Sequence, residues 1–298
     1  MIDEANRPPL FLLGVDGGGS GTRACLAAAE RPEQTLGRGT AGPSGLAHGV
    51  AAAWRAIESA ARMAFDDAGE VFAWHSVYLA CGLAGMNHPD WRVAFEAAAP
   101  RLRGFVAVSD AYTTVLGVHA GAPGIVIALG TGSVGLSLDA DGHTHAVGGW
   151  GFPSGDEASG AWLGLQAIRH AQQALDGRVA PDALSEALLS ALGSHSHEAL
   201  QRWLSEANQT AYASLAPVVV AHAEHPRVRG WLDEAARETI RMVEALDPDA
   251  QAPVALSGSL APLIGARLPA PWRERLRPAK GGSVDGALWL AARLAHAG

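Results

Sequence analysis

Asp16 and the glycines after it form the first segment of the sequence whose residue types could perform chemistry. The apolar run 11–16 predicts a buried strand, which would carry the Asp16 carboxylate to its C-terminal end. Backbone N–H groups approach an anion closely where no Cβ intervenes, and hydroxyls add further donors. The candidate phosphate ligands of this first loop (residues 17–22) are Gly17, Gly18, Gly19, Ser20 and Thr22. A carboxylate beside a phosphate needs a cation between them, which indicates Mg²⁺ at Asp16; a plain glycine turn with a capping Asp is the alternative.

A second loop of the same kind follows the predicted strand 125–129. Its candidate phosphate ligands are Gly130, Thr131, Gly132 and Ser133. The spacing also fits G-x-G-x-x-G, but a dinucleotide site needs a helix next, and only the predicted strand 134–138 separates this loop from a turn. Neither loop is a Walker P-loop, because no Gly-Lys-Ser/Thr follows. The pattern of strand, loop and strand at 11–29 and again at 125–138 predicts an internal duplication; two unrelated hairpins are the alternative.

Asp110 stands between a predicted strand at 105–108 and a predicted helix at 111–119. Aspartate is favoured as an N-cap and in the first turn of a helix, so capping is one interpretation. A carboxylate at the end of a strand could also take the proton from a hydroxyl that attacks a phosphoryl group. Asp110 is therefore a candidate general base.

Residues 149–157, here called the Trp150 loop, form the densest polar and glycine-rich segment. Ser154 and Glu157 match a capping box, which predicts a helix starting near Gly155. At such a helix start, Asp156 could accept hydrogen bonds from a polar ligand. Trp150 lies between two glycines, where an aromatic ring suits a platform for a sugar better than the core of a strand.

The elements that must position these residues alternate between strands and helices. Helical spacing of apolar residues predicts helices at 50–68, 89–99 and 284–296, and a mostly helical chain from Ala158 onward. Residues 40–49 are predicted to be a Gly/Pro loop. Further strands are predicted at 77–80, 143–147 and 253–256. This mixture in both halves of the chain indicates the α/β class.

Length and composition restrict the classes of function. The chain has 298 residues, or roughly two domains at about 150 residues each. Lys and Arg number 22 against 30 Asp and Glu, for a net charge of −8, which argues against nucleic-acid and anionic-membrane partners. The polar N-terminus does not resemble a signal peptide, and no apolar run reaches the ~18 residues of a membrane span. We therefore expect a cytoplasmic protein.

Cysteine and histidine usage excludes several kinds of site. Two cysteines, Cys25 and Cys81, cannot form a disulfide framework or a four-cysteine metal site, and both are predicted to be buried apolar residues. The H-x-H pairs at 143–145 and 195–197 lack a third ligand nearby, so zinc is not expected. No G-x-S-x-G motif is present, so a serine hydrolase is not expected.

Taken in order, these segments resemble a known family over nearly the whole chain, from about Leu12 to Ala292. The motifs are VDGGGSGTR (15–23), ACGLAG (80–85), VSDAY (108–112), IALGTGSVG (127–135), GGWGFPSGDEASGAWLG (148–164), LSGSLA (256–261) and GSVDGALWLA (282–291). They are similar to those of the bacterial glucosamine and N-acetylglucosamine kinases of the BadF/BadG/BcrA/BcrD group, in the sugar kinase/Hsp70/actin superfamily.

The resemblance implies an actin-like ATPase fold of two ribonuclease-H-like lobes. Residues 1–115 and 281–298 would form one lobe and residues 116–280 the other, with ATP and sugar in the cleft between them. The implied reaction is phosphorylation of an amino sugar by ATP and Mg²⁺ at the 6-hydroxyl. The resemblance also implies a homodimer, which is common in the superfamily.

The resemblance also implies roles for individual residues. Asp16 would serve Mg²⁺, the two loops would bind the phosphates of ATP, and Asp110 would be the catalytic base that also contacts the sugar. Gly258 and Ser259 would lie beside the nucleotide. The remaining implied sugar contacts are Gly149, Trp150, Gly151 and Asp156.

One position departs from the family pattern. The family's G-x-x-N, whose Asn reaches the sugar, corresponds here to Gly42-Pro43-Ser44 followed by Gly45. Ser44, Gly45 or His48 could line the sugar site instead, or the sugar could differ. The Phe152-Pro153 pair resembles the glucosamine kinases slightly more than the N-acetylglucosamine kinases.

Two other classes of function stay open. An ATPase activator of a dehydratase or reductase would share the ATP loops but would need a pair of cysteines for a [4Fe–4S] cluster between subunits. A sugar-sensing regulator would need a helix-turn-helix before the first strand, where only ten residues precede Phe11.

Overall fold

The computed structural model describes residues 9–193 and 195–297 of the chain. The chain divides into two compact units. The first unit comprises the described residues up to Pro123, the segment Leu138–Thr144 and the described residues from Ala279 onward. The second unit comprises Gly124–Ser137 and His145–Pro278.

Strands and helices alternate along the first unit and helices dominate the second. The first part of the chain forms β1 (Phe11–Gly17), β2 (Thr22–Ala28), β3 (Arg31–Ala41), α1 (Val50–Ala68), β4 (Val77–Leu83), α2 (Pro89–Ala97), β5 (Gly104–Ser109) and α3 (Asp110–His119). The second unit is built on β6 (Gly124–Leu129), β7 (Ser133–Leu138), β8 (Thr144–Gly148), α4 (Gly160–Leu175), α5 (Ala183–Ala191), α6 (His197–Glu206), α7 (Gln209–Ala213), α8 (Ala216–Ala221), α9 (Pro226–Leu246), β9 (Val254–Ser257), α10 (Ala261–Gly265) and α11 (Ala270–Arg275). The helix α12 (Ser283–Ala297) belongs to the first unit. Among the described helices, none combines the length and the apolar character needed to cross a membrane.

The sheet of the first unit has the strand order β3-β2-β1-β4-β5. β1 is antiparallel to β2 and parallel to β4, which is parallel to β5. In this register, Gly17 lies opposite Leu83, and Leu83 lies opposite Ser109. The C-terminal ends of the three parallel strands therefore meet at one edge, where Asp16 and Asp110 stand.

The sheet of the second unit has the order β8-β7-β6-β9, with β6 parallel to β9. This order matches β3-β2-β1-β4 of the first sheet, strand for strand, including the parallel pair. The first loop joins β1 to β2, and the second loop joins β6 to β7 at the equivalent place. The repeated topology supports the internal duplication predicted from the sequence.

The first sheet carries apolar side chains on both faces because its strands alternate. Leu13 and Val15 pack in the cluster that includes α1, whereas Leu12 packs in the cluster that includes α12. Cys81 lies in the first cluster and Cys25 in the second, and both thiols are fully buried. The two cysteines thus act as core residues, as predicted, and face opposite sides of the sheet.

The bounds of α1 are those predicted, but β3 was missed. Thr40 and Ala41 belong to this strand, so the loop predicted at 40–49 is shorter. β3 lacks a clear apolar alternation and contains Gly37 and Gly39, which weaken a strand prediction. The structure explains both glycines, because a Cβ at either position would overlap the backbone of α1. They permit the close approach of helix and strand.

Candidate active site

The first loop is a tight backbone turn that is hydrogen-bonded to the segment after β3. Gly18 N–H donates to the Gly21 carbonyl at 3.0 Å, while the Gly18 carbonyl accepts from Ser44 N–H at 3.2 Å and from Gly45 N–H at 3.0 Å. Among the described residues, the N–H groups of Gly19 and Ser20 have no acceptor, and both residues are exposed. Adjacent free N–H groups of this kind form a concavity that binds anions.

Two hydroxyls predicted to serve ligands are used inside the first unit. Thr22 Oγ1 lies 2.7 Å from both the Gly42 carbonyl oxygen and Ser44 Oγ, and Thr22 and Ser44 are buried. Gly17 packs on the same cluster, because a Cβ there would overlap Ser44 Oγ. These hydroxyls therefore brace the loop from behind, and Ser20 supplies its exposed hydroxyl.

Gly45, at the position of the missing asparagine, is packed against the first loop. A Cβ on Gly45 would lie 3.3 Å from the Gly18 carbonyl carbon and 3.4 Å from Gly19 N. That spacing is tight for a side chain, so an asparagine here would press on the loop backbone. His48 ends the short 3-10 turn Leu46–His48 and is exposed.

Asp16 is the carboxylate at the start of the first loop. Its Oδ2 accepts from Arg23 Nη2 at 2.7 Å and from Nε at 3.1 Å. The Asp16 side chain is 12% exposed and that of Arg23 is 72% exposed. Oδ1 has no partner within the described part of the chain. A half-free carboxylate beside an anion concavity fits a hydrated Mg²⁺, which prefers oxygen ligands and keeps several waters.

Asp110 begins α3 directly after β5. The N-cap is Ser109, whose hydroxyl accepts from Tyr112 N–H at 3.2 Å, so Asp110 is not needed for capping. Its own Oδ1 accepts from Ala111 N–H at 2.9 Å. Burial, together with the charge of Asp16, raises the pKa of Asp110 above its usual value despite that hydrogen bond. A raised pKa makes the ionised carboxylate a stronger base.

The second loop is held by the start of α4. Gly160 N–H donates to the Gly130 carbonyl at 2.8 Å, and Ala161 N–H donates to the Thr131 carbonyl at 3.1 Å. These helix N–H groups are therefore satisfied by the loop. Within the described chain, the N–H groups of Thr131 and Gly132 have no acceptor, and Thr131 is exposed.

Ser133, predicted as a phosphate donor, is buried. Its hydroxyl donates to the Glu157 carbonyl at 2.5 Å. As in the first loop, the more deeply placed hydroxyl holds the loop, and the exposed one, Thr131, faces outward.

A cavity of about 280 Å³ opens beside the second loop. Its polar lining includes Gly130, Thr131 and Ser259. Gly258 brings its segment close, because its φ is +95° and a Cβ there would overlap the Leu129 carbonyl. The residues predicted to bind nucleotide from two separate motifs are thus brought together in the second unit.

The sequence did not indicate the apolar wall of this cavity. It is formed by Ala213 of α7 and by Ala216, Pro217 and Val220 of α8. Small apolar residues on short helices carry no distinctive motif. A larger cavity of about 740 Å³, lined by residues such as Trp74 and Arg101, contains none of the predicted site residues.

The Trp150 loop is shaped by residues with positive φ. Gly149 has a φ of +69°, Gly151 of +89° and Asp156 of +60°. Gly155 N–H donates to the Gly151 carbonyl at 2.8 Å, which closes the loop on itself. Trp150 is 85% exposed, so its ring offers an open aromatic surface.

The helix predicted near Gly155 is wrong. α4 begins at Gly160, and its N-cap is Ser159, whose hydroxyl accepts from Trp162 N–H at 3.1 Å. The positive φ values of Asp156 and Ala158 (+67°) are incompatible with a helix across these residues. The Ser154–Glu157 spacing is thus a coincidental match to the capping-box pattern.

Asp156 is only 5% exposed. Its Oδ1 accepts from Ser133 N–H at 3.3 Å, and its Oδ2 accepts from Gln209 Nε2 at 2.6 Å. The predicted sugar contact is therefore a buried carboxylate that links the Trp150 loop to the second loop. Sequence reasoning missed Gln209, since no motif surrounds it.

Comparison with known proteins identifies the family. Residues 13–248 match the model of the BadF/BadG/BcrA/BcrD ATPase family, and the chain belongs to this family. The family resemblance and the α/β fold of ribonuclease-H-like lobes, both predicted from the sequence, are confirmed.

Individual relatives cover nearly the whole chain. The glucosamine kinase GspK of Vibrio cholerae is 27% identical over 289 residues, which span 96% of this chain and 97% of that protein. A solved structure from Chromobacterium violaceum, named a "Putative N-acetylglucosamine Kinase", is 40% identical with a TM-score of 0.90, over 95% of this chain and 99% of that one. A ROK family glucokinase from Streptomyces griseus shares the fold at 16% identity and a TM-score of 0.58, over 98% and 100% of the two chains.

Proposed function

We propose that the protein is an ATP-dependent kinase that phosphorylates a hexosamine, glucosamine or N-acetylglucosamine, at its 6-hydroxyl. The observation that carries the proposal is the pair of loops with free N–H groups at equivalent places in a duplicated fold. One loop begins at the Asp16 carboxylate, with Asp110 at the same edge of its sheet, and the other loop adjoins a cavity with an apolar wall. The names of the full-length relatives support an amino sugar as the acceptor.

The nucleotide is assigned to the second loop and its cavity. The free N–H groups of Thr131 and Gly132 would hold terminal phosphates, and the Gly258–Ser259 segment would lie beside the nucleotide. The apolar wall formed by residues such as Ala216 and Pro217 suits the flat face of a base. The first loop would contribute Gly19 and Ser20 N–H groups to the phosphates.

Asp110 is proposed as the general base. Its carboxylate would take the proton of the sugar hydroxyl as that oxygen forms a bond to the γ-phosphorus of ATP. The bond between the γ-phosphorus and the bridging oxygen would break, and ADP would leave with the bond's electron pair. Magnesium held through Asp16 would supply positive charge against the phosphate oxygens.

The sugar is assigned to the Trp150 loop. The exposed Trp150 ring would pack against the apolar face of the sugar, and Asp156 would accept hydrogen bonds from its polar groups. Gly149 and Gly151 would allow the close approach of backbone. Because Gly45 carries no amide, the choice between glucosamine and the N-acetyl sugar rests on the acceptor assay.

The positions of the cysteines oppose the alternative of an iron–sulfur ATPase activator. Cys25 and Cys81 are fully buried on opposite faces of one sheet, and burial strongly raises the pKa of the Cys81 thiol. The cysteine ligands of a cluster must be thiolates that reach the same cluster. Neither side chain could do so without disruption of the core.

A coupled assay of ADP release with Mg·ATP tests the proposal. The acceptor panel is glucosamine, N-acetylglucosamine, N-acetylmannosamine, glucose and no sugar. A rate for one amino sugar far above the blank is expected, and analysis of the product by ³¹P and ¹³C NMR should place the phosphate at carbon 6. Equal rates in every well would indicate a bare ATPase and contradict the proposal.

A further inference from the structure

The carboxylate of Asp156 has fewer partners than a buried charge requires. It accepts two hydrogen bonds, one from Ser133 N–H and one from Gln209 Nε2. Within the described chain, no Arg, Lys or His forms an ion pair with it. An ionised carboxylate offers about four lone-pair positions, so this group retains acceptor capacity for a ligand.

The helix that carries Gln209 is anchored by a capping hydrogen bond and by an aromatic contact. Gln209 is the first residue of α7, whose N-cap Asn208 accepts from Ala211 N–H at 3.0 Å. Tyr212 of the same helix lies against Phe152 of the Trp150 loop, with ring centroids 4.8 Å apart. The start of α7 is therefore anchored beside the Trp150 loop, and the Gln209 side chain reaches Asp156 from there.

The pair formed by Asp156 and Gln209 packs directly on the second loop. A Cβ on Gly132 would lie 2.9 Å from Asp156 Oδ2 and 3.0 Å from Gln209 Nε2. Gly132 therefore lets both side chains rest against the loop backbone. The orientation of the carboxylate is set by an amide on α7 and by the loop beneath it.

We propose that Gln209 is a positioning residue of the acceptor site. Its side-chain amide occupies one lone pair of Asp156 Oδ2 and turns the carboxylate so that its remaining lone pairs accept from donors on the sugar. The inference rests on the proposed function, because it takes Asp156 as a sugar contact. It adds a residue from outside the Trp150 loop that acts on the sugar only through Asp156.

Substitution by methionine removes the donor and keeps the length of the side chain. In Gln209→Met, we expect KM for the sugar to rise about 10- to 100-fold, since hydrogen bonds to charged groups are among the stronger ones. KM for ATP should stay unchanged. Parallel rises in both constants would indicate general damage to the unit and overturn the inference.

Substitution by glutamate makes the same contact dependent on pH. The introduced carboxyl group can donate to Asp156 while it is protonated, whereas two ionised carboxylates at this distance repel each other. In Gln209→Glu, kcat/KM for the sugar, relative to wild type at each pH, should approach unity at about pH 5 and fall toward about pH 8. The melting temperature should fall over the same range.

Gln201→Glu is the matched control, because Gln201 is exposed on α6 and its side chain has no hydrogen-bond partner among the described residues. If the wild type phosphorylates an amino sugar but Gln209→Glu and Gln201→Glu show the same pH profile, the role of Gln209 is overturned and the proposed function is not. A wild type that phosphorylates no sugar would overturn the proposed function. In that case, a melting temperature of Gln209→Glu that still falls with pH would show a purely structural contact and overturn the positioning role as well.

Discussion

The first loop and the second loop stand at equivalent places in two sheets of the same strand order, yet they are supported differently. The first is clamped through backbone contacts by Ser44 and Gly45 of its own unit. The second is clamped by the first residues of α4, whose N–H groups bond to its carbonyls. In both, adjacent N–H groups have no acceptor among the described residues. The comparison indicates that duplication preserved the anion concavity while its supports diverged.

The carboxylates beside the two loops differ more than the loops do. Asp16 pairs with Arg23, which is largely exposed, and its Oδ1 has no partner in the described part of the chain. Asp156 is buried, and the two hydrogen-bond donors that it has within residues 9–193 and 195–297 are both neutral. A carboxylate near solvent suits a hydrated cation, whereas a buried one with fixed partners suits the orientation of a ligand. The two carboxylates, at different places beside the two loops, therefore fit different proposed tasks.

The largest effect should come from the loss of Asp110, the proposed base in the first unit. Asp110→Asn keeps the shape but cannot accept the proton, so kcat should fall about 10²- to 10⁴-fold while ATP binding persists. Asp156→Asn, which tolerates the positive φ, should instead raise KM for the sugar more than it lowers kcat. Steady-state kinetics and calorimetry with a non-hydrolysable ATP analogue measure both.

Two results would break this division of tasks. A kcat near wild type in Asp110→Asn would remove that residue from the role of base. Identical kinetic defects in the two variants would mean that both carboxylates serve the same step, and the contrast between the units would fail.

The next effect concerns the packing behind the first loop. In Gly17→Ala, the new methyl overlaps Ser44 Oγ and lies 2.6 Å from Leu83 Cδ2, so the free energy of unfolding should fall by about 1–3 kcal/mol. The matched control is Gly18→Ala, where a Cβ meets nothing within 4 Å. It should leave stability unchanged and weaken ATP binding, because the methyl enters the space of the anion. Chemical denaturation and ATP titration separate the two effects, and equal stability of the variants would contradict the packing argument.

The sequence predicted the elements and motifs of the site better than its contacts. Strands and helices with strong apolar patterns, such as α1 and the strand that leads to Asp16, were predicted closely. β3 was missed, since its glycines serve the approach of α1 and lower its strand propensity. The helix predicted near Gly155 failed because a four-residue pattern does not reveal positive φ at Asp156.

Partners that are distant along the chain could not be predicted. Gln209 reaches Asp156 from 53 positions away, and the pairing of Thr22 with Ser44 depends on how β2 and the loop after β3 meet. The types of residues and their spacing in the sequence therefore identify which polar residues lie near a loop. Only packing decides whether a hydroxyl faces a ligand or braces the backbone.

A moderate effect should appear in the titration of Asp110. Its pKa is raised first by burial and further by the charge of Asp16, so the acid limb of kcat/KM should lie above the 3.8 of an ordinary aspartate. Activity falls as pH drops through this raised value, because the base becomes protonated. Asp16→Asn removes one negative charge and should lower the pKa of Asp110. Carboxyl ¹³C NMR of Asp110 measures both values without the need for turnover, and an unchanged pKa in Asp16→Asn would contradict the coupling.

The smallest effect contrasts the acid stability of the two units. In the second unit, Asp182 accepts from Ser185 N–H at 2.8 Å and lies 3.1 Å from His170 Nε2. Burial opposes ionisation, but these hydrogen bonds outweigh it and lower the pKa of Asp182 to about 2. A depressed pKa gives stability that is present above the usual aspartate pKa and lost as pH falls toward about 2. For Asp110, whose pKa is raised, ionisation instead costs stability.

Asp182→Asn should therefore lower the melting temperature at neutral pH by only about 2–4 °C, since Asp182 is partly exposed. The difference in melting temperature between wild type and variant should narrow as pH falls from about 5 to about 2, because protonation of Asp182 removes the same charge from the wild type. Asp249→Asn, at an exposed position without an ion pair among the described residues, should show no such trend. A difference in melting temperature that stays constant with pH would mean that the charge of Asp182 does not stabilise the protein. The second unit would then not lose stability in acid through this residue.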